Sequence, residues 1–191
     1  MKNVIALMKP YLRNMAQSDV PDQVQLKRLL CVTVKLTQFE ELIDRFELDR
    51  VILAMNNFYS LIVEAAEQSD GSIDRFSGQS IVLLYGAFRQ IDTVSSVSSV
   101  KIAFRKALDS LRVANNLDFK IGMCLGDVAY GRFGSSKRAT VTGFGPPMQC
   151  ANHLAQKGGF FNVCELLAPE LGGAIESDPL SVVHSHWRPN F

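Results

Sequence analysis

Few side chains in this chain stand at spacings that could carry chemistry. His184 and His186 form an H-x-H pair beside Trp187, and on a strand their rings would share one face, as metal-ligating imidazoles can. No third ligand is near them in sequence, so a structural role is the simpler expectation. Glu40, Glu41 and Asp44 offer carboxylates for a cation, but they open a segment of helical periodicity, where acidic groups favour the helix dipole. Arg132, Lys137 and Arg138 accompany a run of glycines and could hold phosphate, although an exposed basic turn would look the same. Four cysteines, Cys31, Cys124, Cys150 and Cys164, lie far apart without the C-x-x-C spacing of a zinc or redox centre, and are predicted to be reduced core residues.

Composition bounds what these groups can mean. The 191 residues suit one large domain, of a size that buries roughly 70% of its unfolded surface. With 47% apolar residues, 20% charged residues and a net charge of +1, nothing calls for a nucleic-acid or acidic-membrane partner. Apolar runs such as Ile81 to Tyr85 fall far short of the roughly 20 residues a membrane span needs. The opening MKNVIALMKPYLRN has no small-residue cleavage site after its apolar stretch, so a cytoplasmic protein is expected.

The elements that must position these groups follow from periodicity. Asn3 to Ala16 has near-helical spacing interrupted by Pro10, and Ser18 to Gln25 reads as a connector, so residues 1–28 are predicted as a helix and connector ahead of a domain over 29–191. Leu29 to Leu36 is β-branched and apolar, a first core strand. Helical spacing follows at Phe39, Leu42, Ile43 and Phe46, and again from Val51 to Ala66. Residues 71–86 have the form of a β-hairpin turning at Gly78-Gln79. Serine-rich SSVSSV leads into a helix from Ile102 that ends at Asn115-Asn116. Phe119 to Tyr130 and Lys137 to Thr142 read as strands, and Gln149 to Gln156 as a short helix. This order predicts an α+β fold with a ferredoxin-like βαββαβ core, an antiparallel sheet with helices on one face.

The segment KIGMCLGDVAYGRFGSSKRATVTGFG, Lys120 to Gly145, resembles the part of class III adenylyl and guanylyl cyclase catalytic domains where an R-I-G strand leads to G-(D/E)-x-x-x-G-x-x-G-S and a Y-T-x-x-G turn. Gly126, Gly131 and Gly134 fall where that pattern has glycines. Asp70-Gly71-Ser72-Ile73-Asp74-Arg75-Phe76 is similar to the family's G-G-x-(V/I)-x-K-F, and Ser77-Gly78-Gln79 to its I-G-D turn. The resemblance covers about residues 28 to 175.

The resemblance implies chemistry whose side chains are replaced here. In the family, two aspartates hold two Mg or Mn ions that activate the ribose hydroxyl and stabilise the phosphate. Their positions correspond to Lys35 and Gln79. The asparagine and arginine of V-N-x-A-x-R-L correspond to Gln149 and His153, and the purine-selecting pair to Arg75 and Thr142. Lysine has no acceptor, glutamine offers one neutral carbonyl oxygen, and histidine lacks the guanidinium fork. No catalytic residue, no bound metal and no cofactor are therefore expected. Lys35, Arg75, Thr142 and Gln149 remain nucleotide-binding candidates.

Three functions are consistent with this pattern. The first is a catalytically inactive cyclase-like signalling module that interacts by forming a homodimer or docking on a protein partner. The alternative is a nucleotide or anion sensor using the former cleft, and the third an active cyclase with atypical residues. The dimer is implied by the resemblance alone, and the sequence after Cys164 leaves little room for the family's terminal hairpin.

Overall fold

The computed structural model describes residues 23–165 and 167–171, with the backbone of 181–183. The predicted helix from Asn3 to Ala16 and the His184–His186 pair lie outside the described residues. Strand β1 spans Gln25–Leu36 and starts before the predicted Leu29. Its first four residues are mostly exposed and three of them are polar, yet their backbone pairs with a neighbouring strand from Gln25↔Tyr130 onward.

Helices α1 (Phe39–Arg45) and α2 (Leu48–Gln68) follow, then the hairpin strands β2 (Ser72–Ser77) and β3 (Ser80–Tyr85). Gly78, at φ +55°, makes the turn between them, a conformation that strains other residues. Helix α3 covers Thr93–Asn115 and takes in the serine-rich stretch that sequence reading left outside it. The Asp92 side chain accepts a hydrogen bond from the Ser95 N–H, and this cap fixes the start of the helix there. The serines lie within an amphipathic turn series whose buried members are Val97 and Val100.

Strand β4 (Phe119–Gly134) runs past the predicted Tyr130 and turns into β5 (Ala139–Phe144). Helix α4 spans Pro146–Leu154 and opens on Pro146 and Pro147, ahead of the predicted start at Gln149. Proline suits the first helical turn because its missing N–H would have no partner there. Strands β6 (Phe161–Cys164) and β7 (Ser181–Val183) come last. The expected shortening of a terminal hairpin falls mainly on residues outside the described ones.

The sheet order is β2-β3-β1-β4-β6-β7, with β5 paired to β4. The β2-β3-β1-β4 part is antiparallel, as the ferredoxin-like prediction requires, and β6 and β7 extend it as parallel strands. Phe119 of β4 packs toward α2, its ring 6.1 Å from that of Phe58. Phe58, Phe104, Phe119 and Phe161 are almost fully buried, each contributing about 2 to 3 kcal/mol of hydrophobic stabilisation. Helix α4 is placed differently from α2. It crosses the opposite face of the sheet, over even-numbered Gly122 and Gly126.

Candidate functional site

The end of β1 brings two of the singled-out positions close together. Lys35 lies opposite Ser80 on β3 and opposite Lys120 on β4. Leu36 N–H donates to the Gln79 carbonyl at 2.9 Å, which sets Gln79 beside Lys35 at the hairpin turn. The Tyr59 hydroxyl donates to the Gly78 carbonyl at 2.5 Å and pins that turn against α2. Burial raises the Tyr59 pKa, so the hydroxyl keeps its proton.

Lys120 is a member that sequence reasoning missed. Strand register alone reveals it, because Lys35 and Lys120 are 85 positions apart in the chain. Both are half-buried, and neither has a hydrogen bond or an ion pair among the described residues. Directly opposed like charges have Cβ atoms about 5 Å apart and destabilise a sheet. Lys35→Gln is accordingly expected to raise stability by about 0.5 kcal/mol, measured as the urea-unfolding free energy. A loss of similar size would mean that the ammonium has a stabilising partner.

Arg75 and Thr142 are also brought together, on a carboxylate the sequence reading did not single out. Asp74 is 1% exposed and accepts from Arg75 Nε at 2.8 Å, from Thr142 Oγ1 at 2.9 Å and from Gly143 N–H at 2.8 Å. Arg75 also donates through Nη2 to the Gly143 carbonyl at 2.9 Å and lies over the Phe144 ring at 5.5 Å. The guanidinium and hydroxyl that would contact a base are thus already engaged within the chain. Asp74 stood in the sequence only as a variable position of the Asp70–Phe76 run, without a pattern that set it apart.

Gln149 and His153 project from α4, Gln149 exposed and His153 half-buried, with no side-chain hydrogen bond among the described residues. Their helix lies so close to the sheet because β4 has glycine beneath it. A Cβ on Gly122 would meet the Ala151 carbonyl oxygen at 2.0 Å, and one on Gly126 would meet Pro147 Cγ at 2.7 Å.

The other candidates separate. Glu40 and Glu41 are exposed in the first turn of α1, and Glu41 pairs with Arg45 at 2.5 Å. Asp44 is exposed as well. Lys137 and Arg138 decorate the exposed β4–β5 turn, where Ser135 Oγ accepts from their backbone N–H groups, and Arg132 is exposed on β4 opposite Val141. The four cysteines are buried and not in disulfides, as predicted, but they are not scattered. Cys31 stands opposite Cys124, and the sulfurs of Cys124, Cys150 and Cys164 lie within 4.8 Å of one another.

Solved structures share this architecture. The adenylyl cyclase CyaB from P. aeruginosa superposes with a TM-score of 0.74 at 23% identity, over 81% of this chain and 85% of that one. The guanylyl cyclase Cya2 gives 0.68 at 21% identity, over 78% and 81%. The guanylate cyclase domain of RhGC from Catenaria anguillulae, solved in complex with GTP, gives 0.70 at 11% identity, over 83% and 90%. This is the class III cyclase catalytic-domain fold.

In the cyclase fold, the glycines that carried the resemblance have structural work: Gly126 lies under Pro147, and a Cβ on Gly134 would meet the Arg138 carbonyl oxygen at 2.3 Å. No family model matches the sequence. Uncharacterised proteins of Mycobacterium tuberculosis and Mycobacterium bovis are each 24% identical over 128 residues, 65% of this chain. The match covers 23% of each of them, so this cyclase-fold chain spans about a quarter of the curated relatives it matches. Among the described residues, no helix is long and apolar enough to cross a membrane.

Proposed function

We propose that this cyclase-fold domain is catalytically silent and works as an interaction or regulatory module that assembles with a second copy of itself. The observation that carries the proposal is the Lys35–Lys120 pair beside Gln79. At an effective dielectric of about 20, one ammonium ~4 Å from a single positive charge is repelled by about 4 kcal/mol, and a divalent ion by more. Two lysines therefore oppose a metal where the resemblance would require two carboxylates, and the Gln79 amide supplies only one neutral oxygen in compensation. Gln149 and His153 likewise leave the complementary half without an arginine fork.

Support for assembly comes from the β5 edge. Phe144 is 50% exposed with its ring edge-to-face against Phe133 at 4.7 Å, an aromatic surface next to the N-terminus of α4. Incubation with manganese and ATP or GTP is expected to give no cyclic nucleotide above background, while sedimentation shows a dimer. Robust turnover that disappears in Gln79→Ala would overturn catalytic silence, and a monomer at every concentration would overturn self-assembly.

The lysine pair also favours a second reading, a metal-free anion or nucleotide sensor. An anion bridging Lys35 and Lys120 would relieve their repulsion, and phosphate oxygens match ammonium donors. Titration calorimetry with ATP, GTP and cyclic nucleotides tests it: binding should vanish in Lys35→Ala/Lys120→Ala, and an absence of heat at millimolar ligand removes the idea.

A further inference from the structure

All four cysteines of the chain converge in one layer between the sheet and α4. Cys31 and Cys124 are cross-strand neighbours on β1 and β4. Cys164 ends β6 one residue beyond the parallel pair Met123↔Val163, which brings it alongside Cys124. Cys150 comes down from α4 and closes a triangle, with the sulfurs of Cys124, Cys150 and Cys164 all within 4.8 Å of one another. Each of these three residues is at most 5% exposed.

We propose that Cys124, Cys150 and Cys164 form a buried site for one soft, thiophilic d10 cation, with Cys31 positioned as a potential fourth ligand. Three sulfurs bound at about 2.3 Å to a common ion lie roughly 4 Å apart, close to the spacing already present. Small rotamer shifts would close the triangle. Thiolate sulfur selects soft ions, Cu(I) and Zn2+ among them, over the hard cations that the carboxylate-poor cleft also disfavours. The ligands come from β4, α4 and β6, so the ion would tie the buried face of α4 to the sheet.

Binding exchanges S–H bonds for S–metal bonds and releases one proton to solvent for each thiol that was protonated, with no change of oxidation state. A closed site of this kind loads most readily as the chain folds.

The two ions make different demands. Zn2+ in structural sites takes four ligands, which would recruit Cys31, whereas Cu(I) can be held by the three-sulfur triangle alone. The full chain, refolded anaerobically with Zn2+ or with Cu(I) and then dialysed against EDTA, is expected to retain one ion per chain by mass spectrometry of the metal. Retention should be lost in Cys150→Ser, and in Cys31→Ala for Zn2+ but not for Cu(I). Because a cysteine variant can fail to fold, the wild-type urea midpoint is measured as well, and it should rise with the retained ion. No retained metal with an unchanged wild-type midpoint overturns the site. An intact mass two hydrogens lower after anaerobic purification overturns it in favour of a disulfide.

Discussion

Gly122→Ala is expected to destabilise the domain by about 3 kcal/mol or more, read as a large drop in the urea midpoint. The added methyl would sit 2.0 Å from the Ala151 carbonyl oxygen and 2.5 Å from the Ala155 nitrogen. Both are backbone atoms at the end of α4, so no side-chain rotation relieves the clash. The helix must lift, and its buried face, Cys150, Ala151 and Leu154, loses contact with β1 and β4. The same change at Gly126 meets only the edge of the Pro147 ring and is expected to cost less. A Gly122→Ala loss below about 1 kcal/mol would show that α4 moves freely over the sheet. That outcome would also weaken the cysteine site, which needs Cys150 held in place.

Asp74→Ala is expected to cost about 3 kcal/mol. The carboxylate is 1% exposed and serves three donors, and its loss leaves the Thr142 hydroxyl and the Gly143 N–H without their acceptor. Arg75 is 39% exposed and can turn to solvent, which keeps the cost below that of stranding a fully buried charge. Asp74→Asn retains an acceptor oxygen and should recover about half of the loss. Equilibrium unfolding of the two variants checks both values. If Asp74→Ala instead left stability unchanged, the cluster would be solvated, and Arg75 and Thr142 would be available to a ligand.

Much of the frame was legible because local pattern and tertiary demand agree. Helical spacing from Val51 to Ala66 became the buried face of α2, and the Gly78-Gln79 turn became the β2–β3 hairpin. The misplaced boundaries share one cause. At Gln25 to Arg28 the backbone pairs while most side chains stay exposed, and at Thr93 to Val100 an Asp92 cap and two buried valines outweigh the low helical preference of serine. Backbone hydrogen bonding and capping leave little trace in apolar periodicity.

The resemblance to cyclases came from glycine spacing, and the fold agrees with it. The sequence by itself determined which side chains stand at Lys35, Gln79, Gln149 and His153, since residue identity at a motif position needs no coordinates. Only the tertiary structure decided what surrounds them. Strand register set Lys120 against Lys35, packing of β2 against β5 placed Asp74 on Thr142 and Gly143, and the crossing of α4 over Gly122 brought Cys150 to Cys124 and Cys164. Each is a contact between residues far apart in sequence, formed because sheet pairing and close packing fix neighbours that no spacing along the chain encodes.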